Sequence, residues 1–154
     1  MQTTTTTDTQ SRIPQEYFSV EDRVGQLLCQ ASLRDKKAKA LEEQKITLVL
    51  KTRKEIESTI PPIKDVTLEW LGVPSEMRYG NVFCLDVTYK GSDPIRLRNL
   101  KTLDHSKEGG WFINEGNVGW SVSGIKYENE IQAFDYLVDC LAKNYIKEQS
   151  NVWP

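Results

Sequence analysis

The chain is poor in the residue types that carry most protein chemistry. It has one histidine, His105, placed between Asp104 and Ser106. That trio supplies the residue types of a hydrolase triad. Adjacent side chains, however, diverge from one short backbone and cannot line up as serine, imidazole and carboxylate. His105 is therefore expected as a solvated loop residue within Thr102–Gly110. The three cysteines, Cys29, Cys84 and Cys140, cannot all pair with one another, and none has the close spacing of a metal-binding pair. Cys29 follows two leucines and Cys140 lies near Val138 and Leu141, so both are expected to be buried as small apolar side chains. No metal and no cofactor is expected. Gly109–Gly110 lacks the lysine and hydroxyl residue of a phosphate-binding loop, and simply bends the chain ahead of Trp111.

Long apolar runs are also missing. No stretch approaches the roughly eighteen residues of a membrane span, and Met1–Gln10 has none of the basic and apolar regions of a secretion signal. The expectation is a cytosolic protein with no membrane partner. A net charge of −2 and a pI near 5.5 argue against general affinity for phosphate backbones.

What remains is organised for folding. A length of 154 residues suits one domain. The expected layout is a disordered leader over 1–14, a single α+β domain over 15–148 and a loose tail over 149–154. The leader is threonine-rich and has almost nothing to bury against the entropy of ordering. Ser19 and Asp22 resemble a helix start, and Val24, Leu27, Leu28 and Ala31 form an apolar stripe, so a helix over Val20–Ser32 is expected. Beyond Leu33 the chain turns basic, and only Ala38 and Leu41 are available to extend the helix along one narrow side.

Residues 45–53 admit two readings. Leu41, Leu48, Val49, Ile56 and Ile60 lie near one helical stripe. Ile46, Leu48 and Leu50 also alternate with Thr47 and Val49, and the β-branched residues among them favour a strand, which is the reading adopted. Pro61 and Pro62 then end whatever precedes them. Val66–Trp70 alternates as a half-buried strand. Gly72–Gly80 reads as a loop. Phe83–Tyr89 is the clearest central strand, and Ile95–Leu100 follows with Ile95 and Leu97 inward and Arg96 and Arg98 outward.

The last third organises the rest. Gly116–Asn117 reads as a two-residue turn that pairs Ile113 with Trp120 and Trp111 with Val122, placing the large apolar groups on one side. From Ile131 the period becomes helical, with Ile131, Phe134, Val138, Leu141 and Tyr145 as the stripe and Asn129 as the cap. This helix is expected to cover the hairpin. The fold class is α+β: a mainly antiparallel sheet of about five strands, flanked by an N-terminal and a C-terminal helix.

Function is argued from charge. The segment Arg34–Lys54 carries Arg34, Lys36, Lys37, Lys39, Lys45, Lys51, Arg53 and Lys54 against Asp35, Glu42 and Glu43, whereas the last helix is acidic. Such opposition permits head-to-tail association, an intramolecular match between the two segments, or docking to a charged partner. The expected partner-binding residues are Lys36, Lys37, Lys39, Arg96, Arg98 and Lys101. The favoured reading is a noncatalytic interaction module: an adaptor, inhibitor or assembly factor. A nucleic-acid-binding module using Arg96, Arg98 and Lys101, with Phe112 as a stacking group, ranks second. A small enzyme with an unidentified site ranks third; Asp86 and Glu69 would form a carboxylate pair if their strands were neighbours, but exposed strand acids are common.

Overall fold

The protein is described from a computed structural model covering residues 19–152. The expected leader over 1–14 lies outside the described residues. The elements are α1 (Val20–Thr59), β1 (Val66–Trp70), β2 (Cys84–Tyr89), β3 (Ile95–Asn99), β4 (Thr102–Ser106), β5 (Gly110–Asn114), β6 (Trp120–Val122), β7 (Ile125–Tyr127) and α2 (Glu130–Val152). Five strands form an antiparallel sheet in the order β1-β2-β3-β6-β7, and β4 pairs with β5 in a separate two-stranded sheet. The α+β class and the flanking of the sheet by a first and a last helix are as expected. The chain separates into two compact units, one ending at Ala40 and the other starting at Leu41.

In the first unit, the helix opens where the serine was expected to cap it: the Ser19 hydroxyl accepts the backbone N–H of Asp22 at 3.3 Å. It does not stop at Ser32. α1 runs unbroken to Thr59, which overturns the strand reading of 45–53. Within that stretch and just beyond it, the buried positions are Lys45, Val49, Thr52, Arg53 and Ile56, spaced by three and four residues as on one face of a helix. Leu50, which the strand reading turned inward, is half exposed. Two of the residues that carry the helical period, Lys45 and Arg53, are charged, so apolar alternation alone hides it.

In the second unit the core gathers Val49 and Ile56 of α1, Phe83, Leu85 and Val87, Leu97, Leu103, Trp120 and Val122, and Ala133, Phe134, Leu137 and Leu141 of α2. One sheet face is buried. The other carries Thr67, Glu69, Asp86, Arg96, Arg98 and Ser121, which are exposed or half-buried. β2 and β3 follow the expected alternation, with Ile95 and Leu97 inward and Arg96 and Arg98 outward, whereas in β1 Val66 and Trp70 are half-buried but Leu68 between them is exposed.

The hairpin expected at Gly116–Asn117 does not form. Trp111 pairs with His105 and Ile113 with Leu103, while Trp120 pairs with Asn99 and Tyr127. The Asn114 side chain accepts the N–H of Gly116 at 2.9 Å, which bends the chain away from β5 instead of returning it alongside. The tight turn lies at Ser123–Gly124. Both residues have positive φ, 49° and 85°, as a type I′ turn demands, and Val122 and Ile125 pair on either side of it. Thr102–Gly110, expected as a loop, instead supplies β4 and the first residue of β5.

α2 begins where its cap was expected, with the Asn129 carboxamide oxygen accepting the N–H groups of Ile131 at 2.8 Å and Gln132 at 3.3 Å. Its buried stripe is rotated from the expected one: Ala133, Phe134, Leu137 and Leu141 face inward, whereas Ile131 is 80% and Val138 45% exposed. The helix continues to Val152, through residues expected to begin a loose tail.

Candidate interaction surfaces

In the first unit, Val24, Leu27 and Leu28 share one side of α1 and remain exposed, at 47%, 49% and 65%, with Ala31 half-buried beside them. Cys29, expected as a buried residue, is exposed too. One turn further on come Arg34, Lys36, Lys37 and Lys39, all exposed. None of these four makes an ion pair among the described residues. Among the described residues, this segment is a helix whose apolar stripe stays exposed and runs into a basic end.

The basic run does not act as one patch. Lys45 is buried: its ammonium donates to the carbonyls of Ser75 at 2.9 Å and Met77 at 3.2 Å, and pairs with Glu42 at 2.9 Å. Arg53 donates to the carbonyls of Leu71 at 2.9 Å and Gly72 at 3.1 Å, and lies over the Trp70 ring. Burial pulls its guanidinium below the ordinary arginine value while nearby Glu57 pulls the other way. The group keeps its charge at any ordinary pH. Both residues clamp the 71–77 segment onto α1. They belong to the core rather than to a docking surface, and Arg34, Lys36, Lys37 and Lys39 remain as outward bases at the end of the first unit.

On the open sheet face the structure does bring together the acids singled out from the sequence, because Glu69 and Asp86 are direct cross-strand partners. Asp86 is engaged by Arg96, whose Nε lies 2.9 Å away. That hydrogen bond and charge raise the pKa of Arg96. Lys101 is similarly engaged with Glu115 at 2.8 Å, which holds the Glu115 carboxyl below its usual range. Arg98 makes no ion pair among the described residues and has Cys84 and Ser121 as its register neighbours. Of the three bases proposed for nucleic acid, two are thus already neutralised by their own carboxylates. Phe112 is 44% exposed, but it belongs to β5 in the smaller sheet, not to the sheet that carries Arg98.

His105 is not in a loop. It sits on β4 in edge contact with Trp111, ring centres 4.9 Å apart, and Tyr79 joins the cluster at 5.5 Å from Trp111. Among the described residues no hydrogen bond joins its imidazole to a serine or a carboxylate; the nearby Ser106 hydroxyl accepts the N–H of Gly109 at 2.7 Å. Beside Trp111, an open groove of about 360 Å³ is bounded by Glu43, Gln44, Thr47, Leu48 and Lys51. A second open groove, of about 500 Å³, lies where the end of α1 meets α2, lined by the apolar Pro61, Ile131, Phe134 and Val138 and by the acidic Glu130 and Asp135. The sequence already contained the apolar residues of this second groove but assigned them to the core, since the rotation of α2 about its axis is set by the sheet it packs on.

Among the described residues, no group of three or more histidine, cysteine, aspartate or glutamate side chains is placed to hold a metal ion. None of the described helices is long and apolar enough to cross a membrane. No protein-family model, curated protein or solved structure matches the chain.

Proposed function

We propose that this chain is a noncatalytic cytosolic interaction module, an adaptor, inhibitor or assembly factor that binds another protein through the first half of α1. One observation carries the reading: Val24, Leu27 and Leu28 stand exposed on one helical side, next to four bases that lack ion partners among the described residues. An exposed apolar stripe on a helix costs solubility unless something covers it, and adjacent bases steer and orient that something. Nucleic acid is the less favoured partner, because Arg96 and Lys101 are each tied to a carboxylate. Affinity purification from cells tests the proposal. The wild-type chain is expected to retain a defined protein partner that is lost from Leu27→Asp and weakened when Lys36, Lys37 and Lys39 are changed to glutamate. An identical set of retained proteins from all three baits overturns it.

A further inference from the structure

The apolar helix of the first unit and the groove on α2 are complements. Val24, Leu27, Leu28 and Ala31 follow the i, i+3, i+4, i+7 rule and cover two helical turns. Ile131 and Val138, seven residues apart on α2, span the same two turns along the groove, which Pro61 and Phe134 also line. Length therefore matches length. Charge is opposed: the helix leads into Arg34, Lys36, Lys37 and Lys39, while Glu130 and Asp135 line the groove. Neither of those carboxylates makes an ion pair among the described residues. An amphipathic helix laid into an apolar groove is a recurrent mode of recognition, and here both halves of the pair are encoded in one chain.

We infer that the groove on α2 takes the first-unit helix of a second copy of this chain, and that two copies close a two-fold pair by reciprocal exchange. This rests on the reading of the first half of α1 as a binding segment, and it names a second copy of the chain as the protein that segment binds. Each molecule offers one helix and one groove, so a closed pair satisfies both at once. The second contact then forms intramolecularly, which raises overall affinity without any new surface. The apolar contact supplies attachment, and the charges set which end of the helix lies by Glu130 and Asp135.

The experiment is light scattering on the full chain after size exclusion, with circular dichroism confirming that each variant is folded. Wild type is expected at twice the monomer mass of 17.7 kDa. Val138→Asp, an exposed position, is expected to halve the measured mass. Two charge variants then decide the geometry. In the first, Lys36, Lys37 and Lys39 become glutamate, so helix and groove are both acidic; in the second, Glu130 and Asp135 become lysine, so both are basic. Each alone is expected as a monomer at low salt, and an equimolar mixture is expected to restore the doubled mass. A monomeric wild type, a mixture that stays monomeric, or a ladder of masses rising with concentration overturns the closed pair. If the chain is monomeric yet still retains a protein that Leu27→Asp loses, this inference fails while the interaction-module reading stands. If it is monomeric and retains nothing, both fail.

Discussion

The Lys45 ammonium lies 5.1 Å from the centre of the Trp111 ring. It ties α1 to β5 and, through the carbonyls of Ser75 and Met77, to the loop after β1. A buried cation is stable only when its donors are used, and here two carbonyls, a carboxylate and an aromatic face use them. Lys45→Met keeps the length and removes the donors, leaving two carbonyls unpaired. The expected loss is roughly 2 kcal/mol, read as a lowered urea midpoint, whereas Lys36→Met at an exposed position is expected to leave the midpoint unchanged within about 0.5 kcal/mol. Equal effects from the two substitutions would sink the clamp.

Arg53 repeats the device about two turns further along the same face of α1. Its Nη2 donates to the carbonyls of Leu71 and Gly72 while the guanidinium plane lies over Trp70; a lysine ends one bond short of that nitrogen and has no plane to lay on the ring. Arg53→Lys is expected to cost about 1 to 2 kcal/mol despite keeping the charge. Trp70 also donates to the Glu57 carboxylate, so tryptophan fluorescence should shift as the loop loosens. Stability and emission both unchanged would count against it.

These two clamps show why the sequence was legible in some places and not in others. Caps are local chemistry, so Ser19 and Asn129 announced the helix starts correctly. The alternation of β2 and β3 was also readable, because each of these strands keeps one face wet. Residues 45–53 misled because their inward positions include Lys45 and Arg53, whose burial depends on carbonyls some twenty to thirty residues away in sequence. The hairpin misled for the same kind of reason. Trp120 finds its neighbours on β3, a pairing that no turn signal at Gly116–Asn117 encodes. The apolar residues of the α2 groove were visible but assigned to the core. Helical periodicity leaves open which of two overlapping stripes, both containing Phe134 and Leu141, meets the sheet.

Gly119 and the Ser123–Gly124 turn test the corrected pairing. Gly119 has φ of 113°, and a Cβ there would collide with the backbone carbonyl of Tyr127. Gly119→Ala is expected to destabilise by about 3 kcal/mol from the combined strain and clash. Ser123, at φ 49°, occupies a position that asparagine fills with less strain, and asparagine followed by glycine is the preferred type I′ pair. Ser123→Asn is therefore expected to stabilise by about 0.5 kcal/mol. Thermal unfolding of both variants checks the pair, and a destabilised Ser123→Asn would contradict the turn.

The Lys101–Glu115 pair links the corrected β4–β5 region to pH. Lys101 holds the Glu115 carboxyl below its ordinary value, by the hydrogen bond first and the charge second. A carboxylate depressed on folding stabilises the folded state above its unfolded pKa, about 4.3. That contribution disappears as pH falls through the lower folded value. The pair is solvent-exposed on the Glu115 side, so salt and water screen it, and the clean readout is the titration itself rather than a melting temperature. Following the Glu115 carboxyl carbon by NMR, its midpoint is expected to lie lower in wild type than in Lys101→Met, with the gap narrowing as salt is added. Coincident midpoints at low salt would show that the two side chains do not meet in solution. Acid-unfolding curves of the two proteins should separate above the unfolded carboxylate pKa and converge below the folded one, because protonated Glu115 has no charge for Lys101 to hold.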